Sequence, residues 1–307
     1  QRQMCIRDRW GSLSAQSAGS NYSRQVNTLI GTKGVGLTSG YLYPGATYPY
    51  GMVQFTPSYF SKRSGFVINQ LSGGGCEHMG NFPTFPVKGK LKMSPDNILN
   101  YRINISEEKG HAGYYEAMVQ EDIKAKLTVT ERTGMASYEY PADQQYGTVI
   151  IGGGISATPI EQAAIVITAP NKCEGYAEGG NFCGLRTPYK VYFVAEFDTD
   201  ALESGTWKRN ELKPNTTFAE GEYSGVYFTF DVNKKKNIQY KIGVSYVSVE
   251  NARENLKAEN TGWDFLQIQN QAESKWNHYL GKIEVEGTNP DRTTQFYTHL
   301  YLSLIHI

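Results

Sequence analysis

Few features of this chain mark a familiar catalytic or binding class. Its 30 basic and 30 acidic residues cancel, leaving no charge surplus to grip nucleic acid or an anionic membrane. No apolar run is long enough to span a bilayer. Four cysteines in 307 residues are too few for a disulfide scaffold. Nucleotide-loop, zinc-peptidase, nucleophile-elbow and CxxC signatures are all missing. His78, His111, His278 and His299 are scattered without metal-ligand spacing, and Cys76 with His78 reads as a loop turn. What is abundant is Gly (32) and Tyr (22), with aromatic residues at 13%; such a chain folds, and leans toward β structure.

The two ends are expected to be foreign to the protein. MCIRDR at residues 4–9 and LSLIHI at 302–307 are translations of opposite strands of one short DNA element, the end of a transposon used to build sequencing libraries. Residues 1–9 and 302–307 are therefore set aside as adapter-derived. Removing them takes away three Arg, one Asp and Cys5, which leaves 27 basic and 29 acidic residues, a net of −2, and three cysteines. Residues 10–20 are small and polar and read as the remnant of a signal peptide or leader, so export is expected.

Residues 21–247 carry short β-type runs separated by turns. Ile123, Ala125, Leu127 and Val129 alternate with Lys124, Lys126, Thr128 and Thr130, the pattern of a half-buried strand. Val226, Phe228 and Phe230 alternate with Tyr227 and Thr229, and Ile238, Tyr240, Ile242, Val244 and Tyr246 extend the pattern. Residues 113–120 and 135–140 are further strand candidates; 191–197 is nearly all apolar and predicts an interior strand. Many strands without intervening helices predict a large antiparallel β-sandwich, with 65–95 as a long loop. The glycine triplet at 152–154 reads as a bulge or tight turn. Cys173 and Cys183 flank an apparent turn; they are read either as a bridge or as free buried thiols.

The texture changes over residues 248–287. Ser248 caps a predicted helix over 249–259. Phe265, Ile268, Ala272, Trp276 and Leu280 give a second helix, with Asp264 before it and Gly281 after it. Residues 283–286 form a short strand, and Asn289-Pro290 starts a third helix over 288–301. A helix running to Tyr301 without a cap predicts continuation into a helical region.

Two segments are distinctive. VNTLIGT (26–32) precedes YPGATYPYGMVQFTP (43–57), and SGFVINQLSGGGCEHMGNFPTFP covers 64–86. The glycines of LSGGGC let backbone approach a ligand or another domain, or make a purely structural loop. In order and spacing these segments resemble the N-terminal domain of glycoside hydrolase family 92, the bacterial exo-acting α-mannosidases. ERTGMASYEYP (131–141), IGVSYVSVENARENL (242–256), WNHYLGKIEVEG (276–287) and FYTHLY (296–301) extend the resemblance over residues 26–301. Many members reach the LSGxGC loop through a histidine-containing stretch; here Phe66 to Leu71 has no histidine, which points to a divergent linkage preference.

The resemblance implies a β-sandwich, a helical linker and an (α/α)6 barrel that this chain only begins. It implies an active site between the two domains, a calcium ion that distorts mannose, inversion at the anomeric carbon, and a mannose-containing glycan as substrate. The catalytic carboxylates come from the barrel, so no catalytic acid, base or calcium ligand is assigned here. Asn69, Ser72, Gly73, Gly75 and Cys76 are the candidates for the sandwich edge that meets substrate. The fragment alone is expected to be inactive, with an apolar surface left for its own catalytic domain. A free-standing carbohydrate-binding or adhesin-type sandwich is the alternative.

Overall fold

A computed structural model describes residues 6–8, 21–33, 40–58, 65–96 and 104–305. The expected leader, 10–20, lies outside the described residues, as do 1–5, 9 and 306–307 of the adapter segments. Among the described residues two large antiparallel sheets form, one of eight strands and one of nine. The eight-stranded sheet runs Glu211–Pro214, Glu203–Lys208, Ser224–Asp231, Tyr146–Gly152, Thr84–Lys88, Phe66–Val67, Gln54–Pro57, Ala46–Thr47. The nine-stranded sheet runs Phe218–Glu220, Ile160–Ala169, Lys172–Phe182, Leu185–Phe197, Asn237–Ser245, Thr133–Glu139, Ile123–Val129, Tyr114–Val119, Ile105–His111.

One continuous core fills the space between the sheets. Phe55, Phe66, Tyr138, Phe193, Phe197, Phe228 and Tyr240 are buried in it, and Phe197 touches the rings of Phe228, Phe230 and Tyr240. Alternation makes this core, because every second residue of a strand faces one side. Ile123, Ala125, Leu127 and Val129 are buried as the pattern requires, and the 191–197 run is interior. The outer face of Ser224–Asp231 departs from expectation: Tyr227 and Thr229 are buried too. The Thr229 hydroxyl finds the Thr148 hydroxyl at 2.8 Å across the strand pair.

Two turn expectations need correction. The 65–95 segment is not one loop, since Phe66–Val67 and Thr84–Lys88 are strands of the eight-stranded sheet. The residues between Cys173 and Cys183 are not a turn but the strand Lys172–Phe182, tolerated despite its glycines because the neighbouring backbone needs the space. A Cβ on Gly175 would sit 2.1 Å from the Ala164 carbonyl oxygen. The triplet at 152–154 does turn tightly, and a Cβ on Gly154 would meet the Gly221 carbonyl oxygen at 1.9 Å.

The helices begin and end where their caps dictate. Helix α1 is Val249–Glu259, with the Ser248 hydroxyl accepting from Asn251 N–H; α2 is Phe265–Leu280, with Asp264 accepting from Gln267 N–H. Helix α3 is Pro290–Leu304, starting from Asn289 with Pro at its first turn and running three residues past Tyr301. Trp276, Leu280, Tyr297 and Tyr301 join Val26 and Ala112 in a second core. Trp276 Nε1–H donates to the Thr47 carbonyl at 2.8 Å, and the Tyr301 and Thr47 hydroxyls are 2.7 Å apart. These bonds fix α2 and α3 against the sandwich.

Candidate functional site

The LSGGGC loop leaves the eight-stranded sheet beside Gln54, which bridges in parallel to Asn69. The base of the loop is clasped by amides. Asn81 N–H donates to Asn69 Oδ1 at 2.8 Å, and Asn69 Nδ2 donates back to Asn81 Oδ1 at 3.0 Å. Ser72 Oγ accepts from Tyr43 N–H at 3.1 Å and from Gln54 Nε2 at 2.7 Å. Gly73 N–H donates to the Tyr41 carbonyl at 2.7 Å. Gly73 and Gly75 have φ of 82° and 70°, a region that favours glycine, and both are exposed.

His78 is fully buried inside the loop. Its Nε2 accepts from Leu71 N–H at 2.9 Å, and its Nδ1 lies 2.7 Å from the Cys76 carbonyl oxygen. Because the first contact needs an acceptor and the second a donor, the ring carries its proton on Nδ1. Gly74 lies against this ring, where a Cβ would be 2.8 Å from Cε1.

Cys76 is bonded to Cys183, with Cα atoms 5.3 Å apart. This settles the cysteine alternatives in a way neither anticipated. Cys173 and Cys183 stand at opposite ends of one strand, about 30 Å apart at a rise of about 3.3 Å per residue, and cannot bridge. Cys173 is a free, buried thiol that burial and Glu174 push well above the ordinary range. Cys183 and Gly184 form the two-residue turn between Lys172–Phe182 and Leu185–Phe197, with φ of 53° and 82° at the two positions. The disulfide therefore ties the glycine loop to a hairpin tip.

The five candidate residues are thus brought together, with different roles. Asn69 and Ser72 turn their side chains inward to hold the loop. Cys76 spends its sulfur on the staple. Gly73 and Gly75 present backbone to the outside. Sequence reasoning missed the residues behind them. The Tyr189 hydroxyl donates to Asn81 Oδ1 at 2.8 Å, and Asn69 Nδ2 donates to the Tyr246 hydroxyl at 3.4 Å. Burial pushes the Tyr189 phenol up to about 12 and raises that of Tyr246. Gln70 is fully buried, and neither amide atom has a partner among the described residues; Asn81 Nδ2 is likewise unpaired. Orphaned amides of this kind are rare in folded proteins. The strand periodicity of 238–246 could have flagged Tyr246; nothing local marks Tyr189.

Calcium takes six to eight oxygen ligands, largely from carboxylates. Among the described residues no three Asp, Glu, His or Cys side chains converge, so these residues do not form a calcium cage and no step is derived through one. An open hollow of about 830 Å³ lies between Tyr48 and the exposed face of α2. It excludes the glycine loop.

The sequence model of the glycosyl hydrolase family 92 N-terminal domain matches residues 25–245, and that of the family's catalytic domain matches 251–307. A curated relative, an uncharacterized secreted glycosidase of Arthroderma benhamiae, is 25% identical over 92% of this chain and 41% of its own length. A family 92 α-mannosidase from Bacteroides thetaiotaomicron superposes with a TM-score of 0.80 at 24% identity, covering 94% of this chain and 42% of that one. An inverting mannosidase of the same family and organism gives 0.78 at 23%, covering 93% and 40%. The chain thus spans about two fifths of the length of the relatives it matches.

Proposed function

The chain belongs to glycosyl hydrolase family 92, and from that premise we propose that it is the N-terminal β-sandwich portion of a calcium-dependent, inverting exo-α-mannosidase. The observation that carries this reading is the order of matches, an N-terminal domain followed directly by the opening of a catalytic domain. A solved family member from Bacteroides thetaiotaomicron holds mannoimidazole, which supports a mannose-type ligand. Export is part of the proposal. It is supported by the relative named as secreted and by a disulfide, a bond that persists in oxidising compartments. No described helix is long and apolar enough to cross a membrane.

Inversion needs a general acid on the leaving oxygen and a general base on water, about 6.5–9.5 Å apart. In this proposal both carboxylates and the calcium ligands belong to the catalytic domain. The sandwich supplies a rigid wall: the exposed backbone of Gly73 and Gly75, held from behind by His78, Ser72 and the Cys76–Cys183 bond. Without a paired acid and base the 307-residue chain is inactive alone.

The test is mannose release from α-mannosides by the full-length protein, with the first-formed anomer read by NMR. The expected product is the β-anomer, and chelation with EGTA abolishes turnover. A full-length protein inert on every linkage, or one that binds glycans without cleaving them, overturns the proposal. Hydrolysis by the 307-residue chain alone overturns the assignment of the chemistry to the catalytic domain.

A further inference from the structure

At the opposite end of the stapled hairpin a second hollow opens, of about 560 Å³, between α1 and the outer face of the nine-stranded sheet. The hairpin strand Lys172–Phe182 separates it from the disulfide by about 30 Å, so it is no part of the glycine loop. Its volume falls in the range of about 300–1,000 Å³ typical of small-molecule sites.

The floor is aliphatic, made by Val194 and Leu256 packed with Ala252. The walls carry both signs of charge, already paired. Arg253 grips Glu174 with two bonds, Nε to Oε2 at 3.0 Å and Nη2 to Oε1 at 2.6 Å. Glu196 takes Lys172 Nζ at 3.0 Å and faces Lys241 Nζ at 3.6 Å. Lys241, whose side chain is 7% exposed, also donates to the Asn260 carbonyl at 3.0 Å and lies 4.4 Å from the centre of the Trp263 ring.

Two observations point to a ligand and to its chemistry. Asn260 lines the hollow and is fully buried, yet its Oδ1 has no partner among the described residues. Orphan acceptors are filled in folded proteins by water or ligand. The charges, moreover, are arranged against an ionic guest. A free anion meets Glu174 and Glu196, and a cation meets Arg253, Lys172 and Lys241. Paired charges still keep spare N–H groups and lone pairs at fixed positions. Such a set matches vicinal hydroxyls, and an aliphatic floor matches the C–H face of a pyranose.

We propose that this hollow is a second glycan-binding site, holding one neutral pyranose residue away from the catalytic loop. In the proposed mannosidase it would keep a branched glycan attached between cleavages.

The experiment is calorimetric titration of the 307-residue chain with α-mannotetraose. Binding is expected, and Glu174→Gln weakens it by about tenfold, the worth of one charged hydrogen bond. Thr261→Trp places bulk at the exposed rim without touching the core and blocks binding. Circular dichroism checks that each variant is folded. Absence of binding, equal binding by all three proteins, or displacement of the sugar by inorganic phosphate overturns the proposal. The full-length protein separates this from the catalytic reading. Glu174→Gln should leave hydrolysis of a small aryl α-mannoside unchanged while raising KM for a polymeric mannan. Loss of all hydrolysis by the unmodified protein bears on the catalytic reading alone.

Discussion

Cys76 and Cys183, 107 residues apart in sequence, are bonded to each other across the gap between the glycine loop and a hairpin turn. Closing a loop of about 100 residues removes on the order of 4–5 kcal/mol of unfolded-chain entropy in the chain-entropy account, and measured values commonly run about 2–4. Cys183→Ser is therefore expected to lower unfolding free energy by about 2–4 kcal/mol. Urea denaturation with and without reductant checks this: reductant should shift the parent chain and leave the variant unmoved.

His78 is expected to organise the loop through two bonds at once. His78→Ala leaves Leu71 N–H and the Cys76 carbonyl without their partner and opens a cavity beside Gly74. The expected loss is about 2–4 kcal/mol. Hydrogen exchange supplies the local readout, since the Leu71 amide should lose protection while the Tyr240 amide, deep in the core strand, keeps it.

His111 makes stability depend on pH. Burial pulls its imidazole below the ordinary value, outweighing the opposing pull of Glu273; Arg24 pushes the same way as burial and Glu116 against it. A histidine lowered in the folded state favours folding to the neutral form. As pH falls through the unfolded value of about 6.5, the unfolded chain gains a proton that the folded chain refuses. Stability is then lost until the lower folded value is passed. His111→Gln should flatten the denaturation midpoint between about pH 7 and pH 5. An unchanged slope would contradict this.

The surface of the isolated chain is expected to associate. Leu71 is 44% exposed, Leu185 70% and Val247 74%, all on segments near the stapled loop or at the end of the strand beside it. Static light scattering at rising concentration should show self-association, and a Leu185→Lys, Val247→Lys double variant should reduce it. A monomer at every concentration would contradict the prediction.

The sandwich and its helices were legible because their signals are local. Alternation marked 123–130, and Ser248, Asp264 and Asn289 marked three helix starts that the structure places at the same residues. Glycine misled where it served packing. The strand Lys172–Phe182 reads as a turn because its small residues make room for a neighbouring backbone, and that neighbour is known only after folding. The candidate site was half legible. The motif named Asn69, Ser72, Gly73, Gly75 and Cys76. Their supports are Tyr189, Tyr246 and Cys183, which lie more than a hundred residues away and meet the loop only through sheet pairing.

The third cysteine adds a constraint on the order of events during biosynthesis. Cys173 is ten positions from Cys183, so in a nascent chain it encounters that thiol far more often than the distant Cys76 does. The native bond wins only if Lys172–Phe182 has straightened and buried Cys173 before oxidation occurs, or if a wrong pair is later exchanged. A mispaired hairpin could not extend, and the nine-stranded sheet would lose two of its interior strands. Correct assembly of the wall at the glycine loop thus hinges on a thiol at the far end of the hairpin being hidden in time.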